Sequence, residues 1–322
     1  MSRPLLVWIL LSVIWGSTWM FIKVGLEDLP PFSFAAVRFV VAIGVLLPFV
    51  VTRRIQLPRS GHDWWLMIET GILTFSVVYG LVFWGEQYVS SGLAALLFAT
   101  FPLFGLMIAH VHLPAERLTW VKVLGVAMGI GGIALVFSNE LHMSGIMALW
   151  GSVAIVGASL SAAYADVLIK VRGGHLDPAL LTLVQMTAGL LPLVAVGLSA
   201  EGNPLRLGWT PLAVVSTAYL AVVGTALAFV LLYWLIRHME VTRAMLITLV
   251  TPLVAVLLGV LFLKESLTWR TAAGGLAIVA GLALTVRWGA PTPEAPAASP
   301  HRRQPVSPVS ATRLDARARG DA

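Results

Sequence analysis

The sequence predicts an all-α polytopic membrane protein with ten transmembrane helices. Its composition, the spacing of its apolar stretches and an internal repeat support this prediction. Of the 322 residues, 58% are hydrophobic and 11% are charged, whereas soluble domains average about 25% charged residues, so a water-soluble globular fold is excluded. The chain has no cysteine, which excludes disulfide frameworks, thiolate metal sites and thiol nucleophiles. The function classes that remain are a transporter or channel, an intramembrane enzyme, and a membrane scaffold.

Ten apolar stretches follow one another along the chain, and each is close to the roughly 20 residues that cross a bilayer as a helix. In lipid each stretch must be helical, because an unpaired backbone amide there costs several kcal/mol. The first stretch is too long for the apolar core of a secretory signal, so we expect a retained first helix. The stretches lie at residues 5–22, 32–51, 64–83, 93–111, 118–137, 146–169, 179–198, 212–236, 244–263 and 269–286.

Lys and Arg residues concentrate on one side of the predicted membrane. Of the 21 in the chain, those on the opposite side are Lys23, Arg206, Lys264 and Arg270. The positive-inside rule therefore predicts that both termini are cytoplasmic. Residues 287–322 are rich in Pro, Ala, Ser and Arg and cannot bury a core, so we predict a disordered cytoplasmic tail. Its arginines favour contact with anionic lipid over binding of nucleic acid.

An internal repeat divides the ten helices into five plus five. The second copy follows the first at a nearly constant offset of 147 to 150 residues. A unit with an odd number of spans must insert its second copy upside down, so we predict two inverted five-helix repeats over 1–143 and 144–286. Inverted repeats are typical of alternating-access carriers, which favours transport. The matched positions are Lys23 with Lys170, Pro31 with Pro178, Trp84 with Trp234, Pro102 with Pro252, and Trp120 with Trp269.

Several short motifs occur in order along the first repeat. They are Trp15-Gly-Ser-Thr-Trp19, Leu29-Pro-Pro31, Ala35-Ala-Val-Arg-Phe39, Tyr88-Val-Ser-Ser-Gly-Leu-Ala94 and Glu116-Arg-Leu-Thr-Trp120. With these motifs the chain resembles EamA-type members of the drug/metabolite transporter superfamily over about residues 5–286. The resemblance implies a ten-helix inner-membrane carrier that exports or exchanges small metabolites, often amino acids or amphipathic compounds. It also implies a central cavity built mainly from helices 1, 3, 4, 6, 8 and 9.

The second repeat departs from the first at positions of chemical interest. Ala162-Ala-Tyr-Ala-Asp166 stands where Trp15 to Trp19 stand, and Gln185 stands where Arg38 stands. We therefore expect a chemically asymmetric cavity, with the polar end of the substrate facing the first half.

Arg38 is the basic residue that we place inside a span. A guanidinium suits a carboxylate or phosphate, so one interpretation is an anchor for the solute. The other is a structural arginine that snorkels outward or caps a neighbouring helix.

Carboxyl groups at membrane depth are costly and are usually retained for function. Glu69 and Asp166 are candidates for proton coupling; the alternatives are snorkelling for Glu69 and an ion pair with Lys170, one helical turn on, for Asp166. At the outer mouth, Glu86 is an acid that selects cations or pairs with Lys23, or else a solvated loop carboxylate.

Aromatic and hydroxyl side chains are candidates for a pocket wall, because rings offer apolar contact and a face for cations. Trp15 and Trp19 lie four residues apart on one face of helix 1, with Ser17 and Thr18 between them. For each ring the alternative is contact with lipid or simple packing. Further pocket-wall candidates are Tyr79 and Trp84 in helix 3, Tyr164 in helix 6, Gln185 in helix 7, and Tyr233 and Trp234 in helix 8.

Pro102 and Pro252 are repeat partners inside helices 4 and 9. Each should kink its helix, and a matched pair of interrupted helices indicates a central site or a hinge. Glycines in helices 5 and 10 should allow close helix packing, within the chain or between two copies. The sequence is therefore compatible with a homodimer as well as with a monomer.

The sequence contains no metal-binding, phosphate-cradling or serine-hydrolase motif, so we predict no metal site, no cofactor and no enzymatic activity. The predicted function is an inner-membrane secondary transporter that exports amino-acid-like or amphipathic solutes by alternating access, coupled to protons or driven by the solute gradient. An uptake carrier or exchanger of the same fold is the alternative within transport. Outside transport, the alternative is an intramembrane enzyme or a scaffold. The expected partners are a small-molecule substrate and membrane lipid.

Overall fold

The computed structural model describes residues 3–53, 55–112, 120–143, 145–203, 207–238 and 247–288. Residues Met1–Ala290 form one compact unit. The tail that the sequence predicts to be disordered lies outside the described residues from position 289 onward. The helices are α1 (Arg3–Gly25), α2 (Pro31–Thr52), α3 (Gly61–Glu86), α4 (Ser91–Phe98 and Phe101–His112), α5 (Trp120–Met143), α6 (Gly145–Arg172), α7 (Pro178–Ala200), α8 (Pro211–Ala218, Tyr219–Leu227 and Ala228–His238), α9 (Ile247–Phe262) and α10 (Trp269–Trp288).

The helices are those of a multi-pass membrane protein. Among the described residues, six are long and apolar enough to cross a membrane, namely α1, α2, α3, α4, α6 and α7. Shorter apolar segments of 10–17 residues occupy α5, α8, α9 and α10. The prediction of an all-α polytopic membrane protein is confirmed.

Proline and capping residues determine where several helices begin. Pro31, Pro178 and Pro211 each occupy a first-turn position, where the missing N–H costs no hydrogen bond. Asp177 Oδ1 accepts hydrogen bonds from the first amides of α7, and Thr210 Oγ1 accepts one from α8. These caps satisfy amides that have no partner within the helix.

Helix contacts follow a reciprocal pattern. Equivalent helices of the two predicted halves pack together, because α2 contacts α7, α4 contacts α9, and α5 contacts α10. Other contacts come in matched pairs, since α1 packs on α8 and α9 as α6 packs on α3 and α4. Likewise α2 packs on α8 as α7 packs on α3. This exchange of partners is the pattern that the predicted duplication leads us to expect.

The glycines of α5 and α10 pack against each other within the chain. A Cβ added to Gly132 would lie 2.5 Å from the carbonyl oxygen of Gly274, and one added to Gly281 would overlap the carbonyl oxygen of Gly125. Gly125 and Gly274 are repeat partners, as are Gly132 and Gly281, so the contact is reciprocal. The close packing expected from these glycines is therefore intramolecular.

Two π-helical segments interrupt equivalent helices, a feature that the sequence did not predict. Ile72–Val78 lies within α3, and Tyr219–Leu227 lies within α8. The repeat places these segments at corresponding depths, because Trp84 and Trp234 are matched beyond them. A π turn widens the helix and often marks a functional site.

The two repeat-partner prolines affect their helices differently. The α4 helix breaks at Ala99 and Thr100, immediately before the turn that contains Pro102. In contrast, α9 continues as α-helix through Pro252. The break near Pro102 thus has no counterpart at Pro252 in the described part of α9.

Candidate functional site

A cavity of about 480 Å³ lies among eight helices of the bundle. Its wall is mostly aliphatic and aromatic, and it receives side chains from α1, α2, α3, α4, α6, α7, α8 and α9. The helices implied by the resemblance omitted α2 and α7, which contribute polar side chains. Of the predicted site residues, the wall includes Trp15, Thr18, Trp19, Arg38, Tyr79, Pro102, Asp166, Gln185 and Pro252.

Arg38 is buried in this wall, with a side chain that is 2% exposed. Its Nε and Nη2 atoms donate to Thr225 Oγ1 at 3.2 and 3.0 Å, and its guanidinium carbon lies 5.0 Å from the ring centre of Tyr79. Nη1 is buried without a hydrogen-bond partner. Arg38 therefore does not snorkel, and the Nη1 nitrogen is a buried donor group without a hydrogen-bond partner among the described residues.

Gln185 occupies the equivalent position in the second half and also makes a hydrogen bond to a threonine, although Thr70 and Thr225 are not repeat partners. Its Nε2 donates to Thr70 Oγ1 at 2.8 Å, and Thr70 is the penultimate residue before the π segment of α3. Each half thus presents a polar side chain held by a threonine hydroxyl at or beside a π segment. The first half thus contributes the guanidinium of Arg38 to the cavity wall, and the second half contributes the amide of Gln185 and the carboxyl group of Asp166.

The hydroxyls between Trp15 and Trp19 differ in position. Thr18 lines the cavity and donates to the carbonyl oxygen of Trp15 at 2.7 Å. Ser17 instead lies against α8, where its hydroxyl is 2.6 Å from that of Tyr219. Ser17 therefore joins two helices and does not line the cavity.

The two candidate coupling carboxyls are separated by the structure. Asp166 lies inside the bundle with protein atoms on all sides. Its side chain is nevertheless exposed, because it borders the empty space of the cavity. The described residues provide no hydrogen bond or ion pair for its carboxylate. Glu69 is half-buried and lies outside the cavity wall.

Lys23 and Glu86 meet at the end of the bundle where α1 ends and α2 begins, which we call the Lys23 end. The ammonium group of Lys23 donates to the carbonyl oxygens of Glu86 at 2.6 Å and Val89 at 2.7 Å. The Glu86 side chain is 0% exposed, and neither carboxylate oxygen has a hydrogen-bond partner. The prediction of a solvated loop carboxylate is wrong, because α3 continues through this residue and buries it.

Several predicted wall residues point elsewhere. Trp84 packs on Tyr88, with ring centres 5.2 Å apart, and Trp234 stacks on His238 at 4.2 Å. Tyr164 is 38% exposed outside the cavity. The expectation that these three rings line the pocket is therefore corrected, because their helical register turns them away. The side chain of Tyr233 lies outside the described residues.

Sequence reasoning missed two glutamates that join the halves. Glu201 accepts hydrogen bonds from the amides of Phe32 at 2.9 Å and Ser33 at 2.7 Å, at the start of α2. Glu265 accepts from Ser91 at 2.7 Å and Gly92 at 3.1 Å, at the start of α4. A carboxylate is favoured at a helix N-terminus. The helix starts are visible in the sequence, but not which distant carboxylate reaches them.

No metal centre accompanies the cavity in the described ranges. They contain no group of three or more His, Asp or Glu residues that could hold a metal ion. The polar side chains in the cavity wall include Arg38, Asp166 and Gln185.

Comparison with known proteins places this architecture in a family. The model of the EamA-like transporter family matches the chain twice, over residues 3–138 and 149–287. The uncharacterized transporter YoaV of Bacillus subtilis (strain 168) is 28% identical over 283 residues, which are 88% of this chain and 96% of YoaV. The uncharacterized inner membrane transporter YedA of Escherichia coli (strain K12) is 33% identical over 257 residues, which are 77% of this chain and 79% of YedA.

A solved crystal structure shares the fold, with a TM-score of 0.62 and 18% sequence identity. The match covers 88% of this chain and 96% of the chain in that structure. Both named relatives are transporters, and both EamA matches fall on the helical part of the chain. The chain therefore belongs to the EamA-like transporter family.

Proposed function

We propose that this protein is an inner-membrane secondary transporter that exports small amino-acid-like or amphipathic solutes by alternating access. The observation that carries the proposal is Arg38, a guanidinium in the cavity wall whose Nη1 has no hydrogen-bond partner. A buried cation with an open donor is costly until a ligand completes it. Guanidinium and carboxylate match in geometry, so the solute would bring a carboxylate.

The remaining wall supports a solute with an apolar body. The volume of about 480 Å³ lies within the usual range for small-molecule sites, about 300–1,000 Å³. Trp15, Trp19 and Tyr79 offer aromatic contact, and Asp166 offers a carboxylate for an amino group. A small zwitterion with an apolar side chain satisfies each of these features.

The family match over both halves, the reciprocal glycine contacts of α5 with α10 and the paired π segments support two inverted five-helix repeats. In such carriers the two halves exchange conformations, and the central cavity then opens to the opposite side of the membrane. The cavity reaches exposed Asp166, whereas Glu86 at the Lys23 end is 0% exposed. We therefore assign the conformation as closed at the Lys23 end, which with cytoplasmic termini is the outer end of the bundle.

Untargeted mass spectrometry of cells and medium tests the proposal. Cells expressing the wild type, Arg38→Ala, Arg53→Ala or no transporter are compared at equal membrane expression. Arg53 is the matched control because it is exposed at the end of the same helix. We expect a carboxylate-bearing compound to accumulate outside cells with the wild type and Arg53→Ala, and to return to the vector level with Arg38→Ala.

The same experiment separates the competing functions. A compound depleted from the medium would replace export with uptake. Export by Arg38→Ala at the wild-type rate would refute Arg38 as the anchor while leaving the carrier intact. If no compound moves with any variant, proteoliposomes loaded with amino-acid mixtures provide the direct assay, and no flux there would overturn the transport proposal.

A further inference from the structure

Glu86 is a buried ionisable group without a role in the proposed solute site. It is the last residue of α3, it is 0% exposed, and both of its carboxylate oxygens are buried without a hydrogen-bond partner. It does not line the cavity. An ionised carboxylate in this setting would cost several kcal/mol, so its environment requires an explanation.

Lys23, one of the two cations that interact with Glu86, already donates to other acceptors. An ammonium group has three donors, and Lys23 directs its Nζ to the carbonyl oxygens of Glu86, Gln87 and Val89 at 2.6, 3.4 and 2.7 Å. These bonds leave no donor of Lys23 for the carboxylate. They also tie α1 to the turn that joins α3 to α4.

The other charged groups near Glu86 do not satisfy it either. The charges that interact with it are Lys23 on α1, Arg38 on α2 and Glu265 before α10. Arg38 directs two nitrogens to Thr225. Glu265 is a second negative charge, and its oxygens accept from the first amides of α4. Hence, among the residues that the structure describes, no neighbour compensates an ionised Glu86 by a hydrogen bond.

We propose that Glu86 is a proton-binding site that controls the Lys23 end, holding a proton while this end is closed and releasing it when this end opens. The inference rests on the alternating-access cycle proposed above. On opening, the turn that contains Glu86 separates from its neighbours and water enters. The proton then passes to that water, and the freed ammonium of Lys23 pairs with the carboxylate. Acid on this side of the membrane favours the closed end.

Infrared absorption tests the proton directly and requires no solute. The purified wild type in detergent should show the C=O stretch of a protonated carboxyl group at neutral pH, and Glu86→Gln should lose that band. The matched control is Glu27→Gln, which removes an exposed carboxylate close to Lys23, and it should keep the band. A spectrum that is identical in the wild type and Glu86→Gln would overturn the proposal.

Cysteine labelling tests the effect of the proton on conformation. The chain has no natural cysteine, so Val89→Cys is a single reporter. Val89 is buried in the turn at the Lys23 end and does not line the cavity. Its modification rate is compared between the wild-type and Glu86→Gln backgrounds at each pH, so the ionisation of the thiol cancels in the ratio. We expect the rate in the wild-type background divided by the rate in the Glu86→Gln background to be near one in acid. This ratio should rise about tenfold at alkaline pH, where Glu86 of the wild type loses its proton and the Lys23 end opens. A ratio that does not change with pH would refute the coupling.

The two proposals fail separately. If Glu86 holds a proton but no solute moves in any transport assay, the proton site stands and the transport proposal fails. If solute moves and the infrared band of Glu86 is missing, the transport proposal stands and the proton site is refuted. Monodisperse elution of Glu86→Gln in gel filtration establishes that the variant is folded.

Discussion

Thr225 Oγ1 accepts two hydrogen bonds from the guanidinium of Arg38, one from Nε at 3.2 Å and one from Nη2 at 3.0 Å. The same hydroxyl donates to the carbonyl oxygen of Leu220, five residues earlier in the π-helical segment of α8. The wide π turn thus positions the acceptor that orients Arg38. This arrangement leaves Nη1 as the donor without a partner.

Thr225→Val removes that acceptor and leaves a buried guanidinium with three unpaired nitrogens. We expect the free energy of unfolding to fall by about 1.5–3 kcal/mol, the usual contribution of a hydrogen bond to a charged group. Thermal unfolding in detergent measures the loss, and Thr225→Ser, which keeps the hydroxyl, should retain wild-type stability. Equal melting temperatures for the valine and serine variants would show that Thr225 does not hold Arg38.

Gly132→Ala should separate α5 from α10, because the added Cβ would lie 2.5 Å from a main-chain oxygen of Gly274. Overpacking of this kind costs about 1–3 kcal/mol, and the melting temperature should fall accordingly. The adjacent Gly131 provides the control, since a Cβ there meets nothing within 4 Å. Gly131→Ala should leave stability unchanged or raise it by up to about 1 kcal/mol through helix propensity. The opposite ranking would contradict the packing described for these helices.

Glu265→Ala should loosen the start of α4, whose first amides the carboxylate binds. Loss of such a cap costs about 1 kcal/mol. Hydrogen–deuterium exchange, read on peptides covering residues 91–98, should become faster. Glu27→Ala removes an exposed carboxylate and should leave this exchange unchanged. If the two variants exchange alike, Glu265 does not stabilise the helix start.

Asp166→Asn tests recognition of an amino group in the cavity. We expect transport of amino acids to fall by about tenfold or more, the effect of losing one charge-assisted contact, while carboxylates that lack an amino group are less affected. Glu69→Gln should transport normally because Glu69 lies outside the wall. Transport assays in proteoliposomes with both solute types measure the difference. Normal transport by Asp166→Asn together with reduced transport by Glu69→Gln would assign the coupling or binding role to Glu69 instead.

The sequence predicted the polytopic class and most helix positions because these depend on local signals. Long apolar runs require helices in lipid, and Pro31, Pro178 and Pro211 begin helices close to the predicted positions. Two of the candidate residues, Arg38 and Asp166, are polar groups whose presence in a span is itself informative. Both line the cavity.

Aromatic residues were placed less well, and the reason is physical. In a soluble helix the apolar face indicates the core, but a membrane helix is apolar both toward lipid and toward its neighbours. Trp19 and Trp84 therefore look alike in the sequence, although one lines the cavity and the other packs on Tyr88. Which face turns inward depends on the rotation of each helix against its neighbours.

The sequence by itself determined the membrane-spanning helices, the duplication with its matched prolines and glycines, and the chemical difference between Arg38 and Gln185. Only the tertiary structure decided that Thr225 and Thr70 hold these two side chains, that π turns lie beside them, and that Glu86 is buried. These contacts join residues from helices distant in sequence. Their partners are selected by helix rotation and packing, which no local pattern encodes.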